Sequence, residues 1–179
     1  TLRNNGLRVD DKLIKVSGDV SVNIGASLPV AFSVSDFVMF KENATALEEF
    51  GTVSGTITNT TALPGYPLTV NYVLSAKEDG SLATLTSNGV NYTDVKKVKL
   101  VLNVKVTAQS GQFSVNVLSS ENQDVLVSHQ YYAKNYGLIK SETNISYTLN
   151  PLIGALATVP FPLSGSQTIN DYLLTKLIN

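Results

Sequence analysis

The 179-residue chain contains no cysteine. Disulfides, thiolate nucleophiles and Cys-ligated zinc or iron–sulfur centres are thereby excluded. A core of this size needs no covalent staple, so the absence does not speak against an oxidising compartment. Charge is also scarce. Asp, Glu, Lys and Arg make up 15% of residues, against about a quarter in an ordinary domain. Net charge is −1, with no strongly basic block, which leaves no electrostatic footprint for nucleic acid or for an anionic membrane surface. His129 is the sole histidine; without carboxylates in ligand spacing it gives no metal motif, and a structural or surface role is expected for it. No apolar run approaches the roughly 20 residues that a membrane-spanning helix needs. Phosphate-cradling glycine loops, a nucleophile elbow and a calcium loop are missing too. The adjacent acidic pairs Asp10-Asp11, Glu48-Glu49 and Glu78-Asp79 make poor acid/base partners, because neighbours in extended chain point to opposite faces. The expectation is a protein that is not an enzyme and uses no cofactor or metal. The chain opens at Thr1, as expected of a mature form with any signal or anchor segment upstream.

What is present is β patterning, and nothing in the length requires a second domain, so residues 1–179 are read as one β domain. Val98, Leu100, Leu102, Val104 and Val106 alternate strictly, with Lys97, Lys99 and Lys105 between them. A helix would scatter these aliphatic groups around its circumference; a strand presents all five to one core. Leu68, Val70, Tyr72 and Leu74 repeat the pattern, as do Val30, Phe32 and Val34. Turns are expected at Asn4-Asn5-Gly6, Ser17-Gly18-Asp19, Leu63 to Pro67 and Lys77 to Gly80. Asn88-Gly89 is a strong hairpin dipeptide, read here between short strands at 82–86 and 90–92. A short helix is expected over 43–50, capped by Asn43 and ended by Gly51. The apolar, proline-punctuated stretch 150–163 reads as a buried connection or a flap over a cavity mouth. Residues 167–179 fit a strand or a short helix, with a closing strand preferred.

Ser128 to Thr143 contains a strand, a tight turn at Asn135-Tyr136-Gly137 and a second strand. Within it, Tyr131-Tyr132-Ala133-Lys134-Asn135-Tyr136-Gly137-Leu138-Ile139-Lys140 resembles the YYA-K-x-x-G-L-(I/V)-K signature of secreted and lipoprotein β proteins of the Bacteroidetes cell envelope. Asn91 to Lys99 is similar to the strand that precedes that signature, so the resemblance covers about residues 89 to 143. The chain departs from the pattern in carrying Tyr136 before the glycine. The resemblance implies a strongly curved, mainly antiparallel sheet, similar to the half-barrels of lipoprotein-localisation factors, in the periplasm, at the outer membrane or outside the cell. The alternative architecture is a β-sandwich.

Together these readings define an all-β fold with minor α content. The expected function is that of a non-catalytic envelope protein holding a lipid or other apolar ligand in the concave face of its sheet. Phe32, Phe37, Tyr72, Leu100, Tyr132 and Phe161 are the expected lining. The alternative is a structural or adhesive surface module without a small-molecule site. A cavity of at least about 300 Å³ separates the two readings.

Overall fold

A computed structural model describes residues 2–10, 12–24, 28–59, 63, 65–156 and 162–174. The protein is almost entirely β, and every strand pairing is antiparallel. In chain order the elements are β1 (Leu2–Asp10), β2 (Leu13–Ile24), β3 (Leu28–Lys41), β4 (Glu49–Asn59), β5 (Leu68–Ser87), β6 (Val90–Ser110), β7 (Phe113–Asn116), β8 (Gln123–Ala133), β9 (Gly137–Thr148), a six-residue helix α1 (Pro151–Leu156), and β10 (Ser164–Tyr172). The strands divide between two open sheets. One is β1-β2-β3; the other runs β10-β9-β8-β6-β5-β4, with β7 extending the row of β8 along β6.

The centre of the larger sheet is the strand whose alternation is clearest. Val98, Leu102, Val104, Val106 and Ala108 of β6 are buried, and β5 adds Leu68, Val70, Leu74 and Ala76 to the same face. Opposite them stand Val16, Val20, Val22 and Ile24 of β2 with Leu28, Val30, Val34 and Phe37 of β3, so the two sheets share one core. Burying each large aliphatic side chain is worth about 1.5–3 kcal/mol. A one-residue slip of β6 would turn its whole apolar set outward, and this fixes the register.

Three expected turns are bulges inside longer strands. β2 runs straight through Ser17-Gly18-Asp19, with a register shift between Val16 and Gly18. β1 runs through Asn4-Asn5-Gly6 with a shift between Asn4 and Gly6. Lys77 to Gly80 is a bulge in β5, where the ladder with β6 resumes at Ser81 and Gly80 adopts φ +100°. Hence the short strands expected around Asn88-Gly89 are the ends of one 20-residue and one 21-residue strand. The dipeptide itself turns as expected: Ser87 pairs Val90, and Asn88 and Gly89 both have positive φ.

The expected helix over 43–50 does not form. The segment makes two tight turns, in which the Ala44 amide bonds the Lys41 carbonyl and the Glu48 amide bonds the Thr45 carbonyl. Leu47, meant for the apolar helix face, is exposed with φ +61°, and Glu49 already pairs Lys77 in β4. A helix lies instead in the proline-punctuated stretch. Pro151 occupies its first turn, Asn150 Oδ1 accepts the Leu152 amide at 3.0 Å, and Ile153 is buried. The closing strand is β10, starting at Ser164 and antiparallel to β9.

Gly51 lies where β3 crosses β4, and a Cβ there would run into the Val38 carbonyl oxygen. Backbone cannot yield as a flexible side chain does. Gly51→Ala is therefore expected to cost about 1–3 kcal/mol in urea unfolding, with the slope of the transition unchanged.

Candidate functional site

The expected ligand-lining residues separate into two groups. Phe32 and Tyr72 stack on each other between the sheets, with ring centroids 4.0 Å apart. Gly55 makes room for that Tyr72 ring, since a Cβ at Gly55 would touch it at 2.6–3.0 Å. Phe37 and Leu100 border a void of about 70 Å³ in the core. That is far below the roughly 300 Å³ of a small-molecule site, so these four residues pack the interior. Phe161 lies outside the described residues. Tyr132 alone faces a space of ligand size, a cleft of about 500 Å³ at one end of the two-sheet packing.

Four pieces of chain build this cleft. The β1–β2 turn brings Val9, Lys12, Leu13 and Ile14; the end of β3 brings Phe40 and Glu42. From the larger sheet, β6 contributes Asp94 and Lys96, and the β8–β9 turn contributes Tyr132 to Asn135 and Gly137. Ile14 faces Phe40 across β2 and β3, while Lys96 faces Tyr132 across β6 and β8. The floor is the contact of Phe40 with Tyr132, centroids 4.5 Å apart and planes tilted by 33°. Tyr132 donates its hydroxyl to Gln130 Oε1 at 2.7 Å, and burial pushes its phenol well above the usual range. With the hydroxyl thus committed, the ring itself is an apolar surface.

The backbone around the cleft is held in unusual conformations. Lys12 (φ +70°), Asp94 (φ +53°) and Asn135 (φ +66°) all adopt the left-handed region, as does Gly137 (φ +77°). Each non-glycine residue there costs of order 1–3 kcal/mol unless its side chain suits the geometry, and such positions gather at binding sites. At Asn135 and Gly137 the conformation closes the tight turn read from the sequence, with the Tyr136 amide bonded to the Ala133 carbonyl at 3.1 Å.

A second polar constellation lies on the opposite face of the larger sheet. The β5 bulge delivers Asp79 to His129 Nδ1 at 2.9 Å and to Lys97 Nζ at 2.8 Å. Next to it, Tyr131 donates to Glu142 Oε2 at 2.9 Å, Lys140 pairs Glu142 at 2.7 Å, and Lys140 lies 5.5 Å from the Tyr131 ring centre. Partial burial raises the Asp79 pKa, but hydrogen bonds from Lys97 and His129 outweigh it and hold the carboxyl below its ordinary range. Burial and the bond to Glu142 push Tyr131 up to about 12. A His–Asp contact is half of an acid/base device, so the partner on the other ring nitrogen matters. Among the described residues the only side-chain partner of the His129 ring is Asp79. The contact ties the bulge to β8.

Among the described residues no group of three or more His, Cys, Asp or Glu is placed to hold a metal ion, and no helix is long and apolar enough to cross a membrane. Fold and cleft together define an all-β, antiparallel protein of two open sheets with a ligand-sized cleft at the sheet ends. No protein-family model, curated protein or solved structure matches the chain.

Asp79 supplies a pH test. A carboxyl held below its ordinary value of 3.8 adds stability at neutral pH and loses it as pH falls below that value through the lowered one. Asp79→Asn is expected to lower stability at pH 7 and to flatten its decline between about pH 5 and pH 3, as read by urea unfolding across that range.

Proposed function

We propose that this chain is a non-catalytic binding protein of the cell envelope that takes an amphiphilic, largely apolar ligand in the cleft between the β1–β2 and β8–β9 turns. The observation that carries the reading is the cleft itself. Its volume of about 500 Å³ falls within the roughly 300–1,000 Å³ of small-molecule sites. Its floor is apolar and aromatic, from Ile14, Phe40 and Tyr132, and charged side chains occur among its remaining lining residues. The assignment to the periplasm, outer membrane or exterior rests on the resemblance of residues 89–143 to Bacteroidetes envelope proteins. The cleft involves that same segment, since Tyr132, Ala133, Lys134 and Gly137 belong both to the signature and to the lining.

The second reading is a structural or adhesive module, favoured by the small size of the void in the core, about 70 Å³ beside Phe37 and Leu100. Fluorescence titration with the neutral apolar dye Nile red, together with native mass spectrometry of the purified protein for retained lipid, separates the two. Saturable dye binding is expected. Val9 borders the cleft yet is 73% exposed, so replacing it should leave the core intact. Val9→Asp is expected to weaken dye binding about three- to tenfold, the effect of removing one apolar contact, without shifting the unfolding midpoint. Absence of saturable binding in the parent protein would select the module.

A further inference from the structure

We propose that the ligand of the cleft carries an anionic headgroup, received by Lys96 and Lys134, while its chain lies on Phe40 and Tyr132. This rests on the cleft being the binding site. Among the described residues five charged side chains line it: Lys12, Glu42, Asp94, Lys96 and Lys134. Among the described residues none of the five forms an ion pair or a side-chain hydrogen bond. Away from the cleft, Lys41, Lys97, Lys105 and Lys140 are all paired with carboxylates. The cleft therefore keeps its ionic groups available.

Their placement decides the sign. Lys12 and Glu42 are neighbours at the small-sheet side, where the Glu42 amide bonds the Lys12 carbonyl at 2.9 Å, and their opposite charges offset each other at a distance. On the larger-sheet side, Lys96 and Lys134 outnumber Asp94. Lys96 stands directly across the β6–β8 pairing from Tyr132, and Lys134 lies two residues beyond that ring on the turn. A lysine in such a place lays its alkyl stem along apolar surface and holds its ammonium at the rim. An amphiphile with its tail on Phe40 and Tyr132 brings its head to those two ammonium groups. A carboxylate and a phosphate share the chemistry required.

The test uses three single-chain ligands with one tail length, tetradecanoate, tetradecyl phosphate and the neutral tetradecanol, each displacing Nile red from the intact protein below micellar concentrations. The two anions are expected to bind at least about fivefold more tightly than the alcohol, the scale of two exposed ion pairs. That preference is expected to shrink in about 0.5 M salt as screening shortens. The ratio between the two anions tells which head the site prefers. In the Lys96→Gln/Lys134→Gln double variant the preference should vanish while tetradecanol binding stays unchanged, and Lys99→Gln, on the opposite face of β6 beside His129, should leave the preference intact. Both substituted residues are exposed, and far-UV circular dichroism checks the fold. Equal binding of acid and alcohol by the parent protein, or an unaltered preference in the double variant, overturns the anionic assignment and leaves the apolar cleft standing. Failure of all three ligands and of the dye overturns both.

Discussion

The two faces of β6 set the terms for everything else. It is hydrogen-bonded on both sides, to β5 and to β8, and its even-numbered residues from Val98 to Ala108 face the smaller sheet. The odd-numbered face carries Lys97, Lys99 and Lys105 at the solvent side, where Lys97 pairs with Asp79 and Lys105 with Glu121. Because side chains alternate strictly, the choice made at β6 propagates through the ladder to both neighbours. It places Tyr132 inward and His129 and Tyr131 outward, and so determines which residues can meet a ligand and which can only form the external polar network.

The alternation of β6 and the Asn88-Gly89 and Asn135 to Gly137 turns were legible in the sequence because each depends on local rules of pleat and dihedral preference. The all-β, antiparallel class followed from them. Bulges were not legible. Ser17-Gly18-Asp19 and Lys77 to Gly80 carry the same small, polar and glycine residues that make turns, and only the partner strand decides whether the chain reverses or kinks. Thus β2 and β5 extend well beyond the strands read from the pattern. The helix expected over 43–50 had one turn of weak apolar spacing and lost to strand pairing at Glu49, whereas Pro151 masked the helix that forms.

The site was legible only in part. Tyr132 was anticipated, but Phe32, Phe37, Tyr72 and Leu100 were chosen for being large and apolar, which describes a core as well as a pocket. Phe40 was missed, although the run Phe37-Val38-Met39-Phe40 breaks the alternation of β3 and so signals a residue facing something other than the main core. Lys12, Asp94 and Lys134 had no signal at all. They come from two turns and from β6, and their convergence is a product of tertiary packing. The same holds for His129 and Asp79, 50 positions apart, which meet because the β5 bulge turns a carboxylate toward β8.

The length of the β5–β6 hairpin has a consequence for how the chain reaches this state. Its closing loop is the two residues Asn88 and Gly89, so the first pair, Ser87 with Val90, forms at nearly the smallest loop-closure entropy available to antiparallel strands. Each later pair down to Leu68 and Ala108 extends an existing ladder with no new loop to close. The buried aliphatic rows of β5 and β6 thereby pair between neighbours in sequence, whereas docking the smaller sheet on them joins segments far apart in the chain. A hairpin closed so locally is expected to form early and to offer its two edges to β4 and β8.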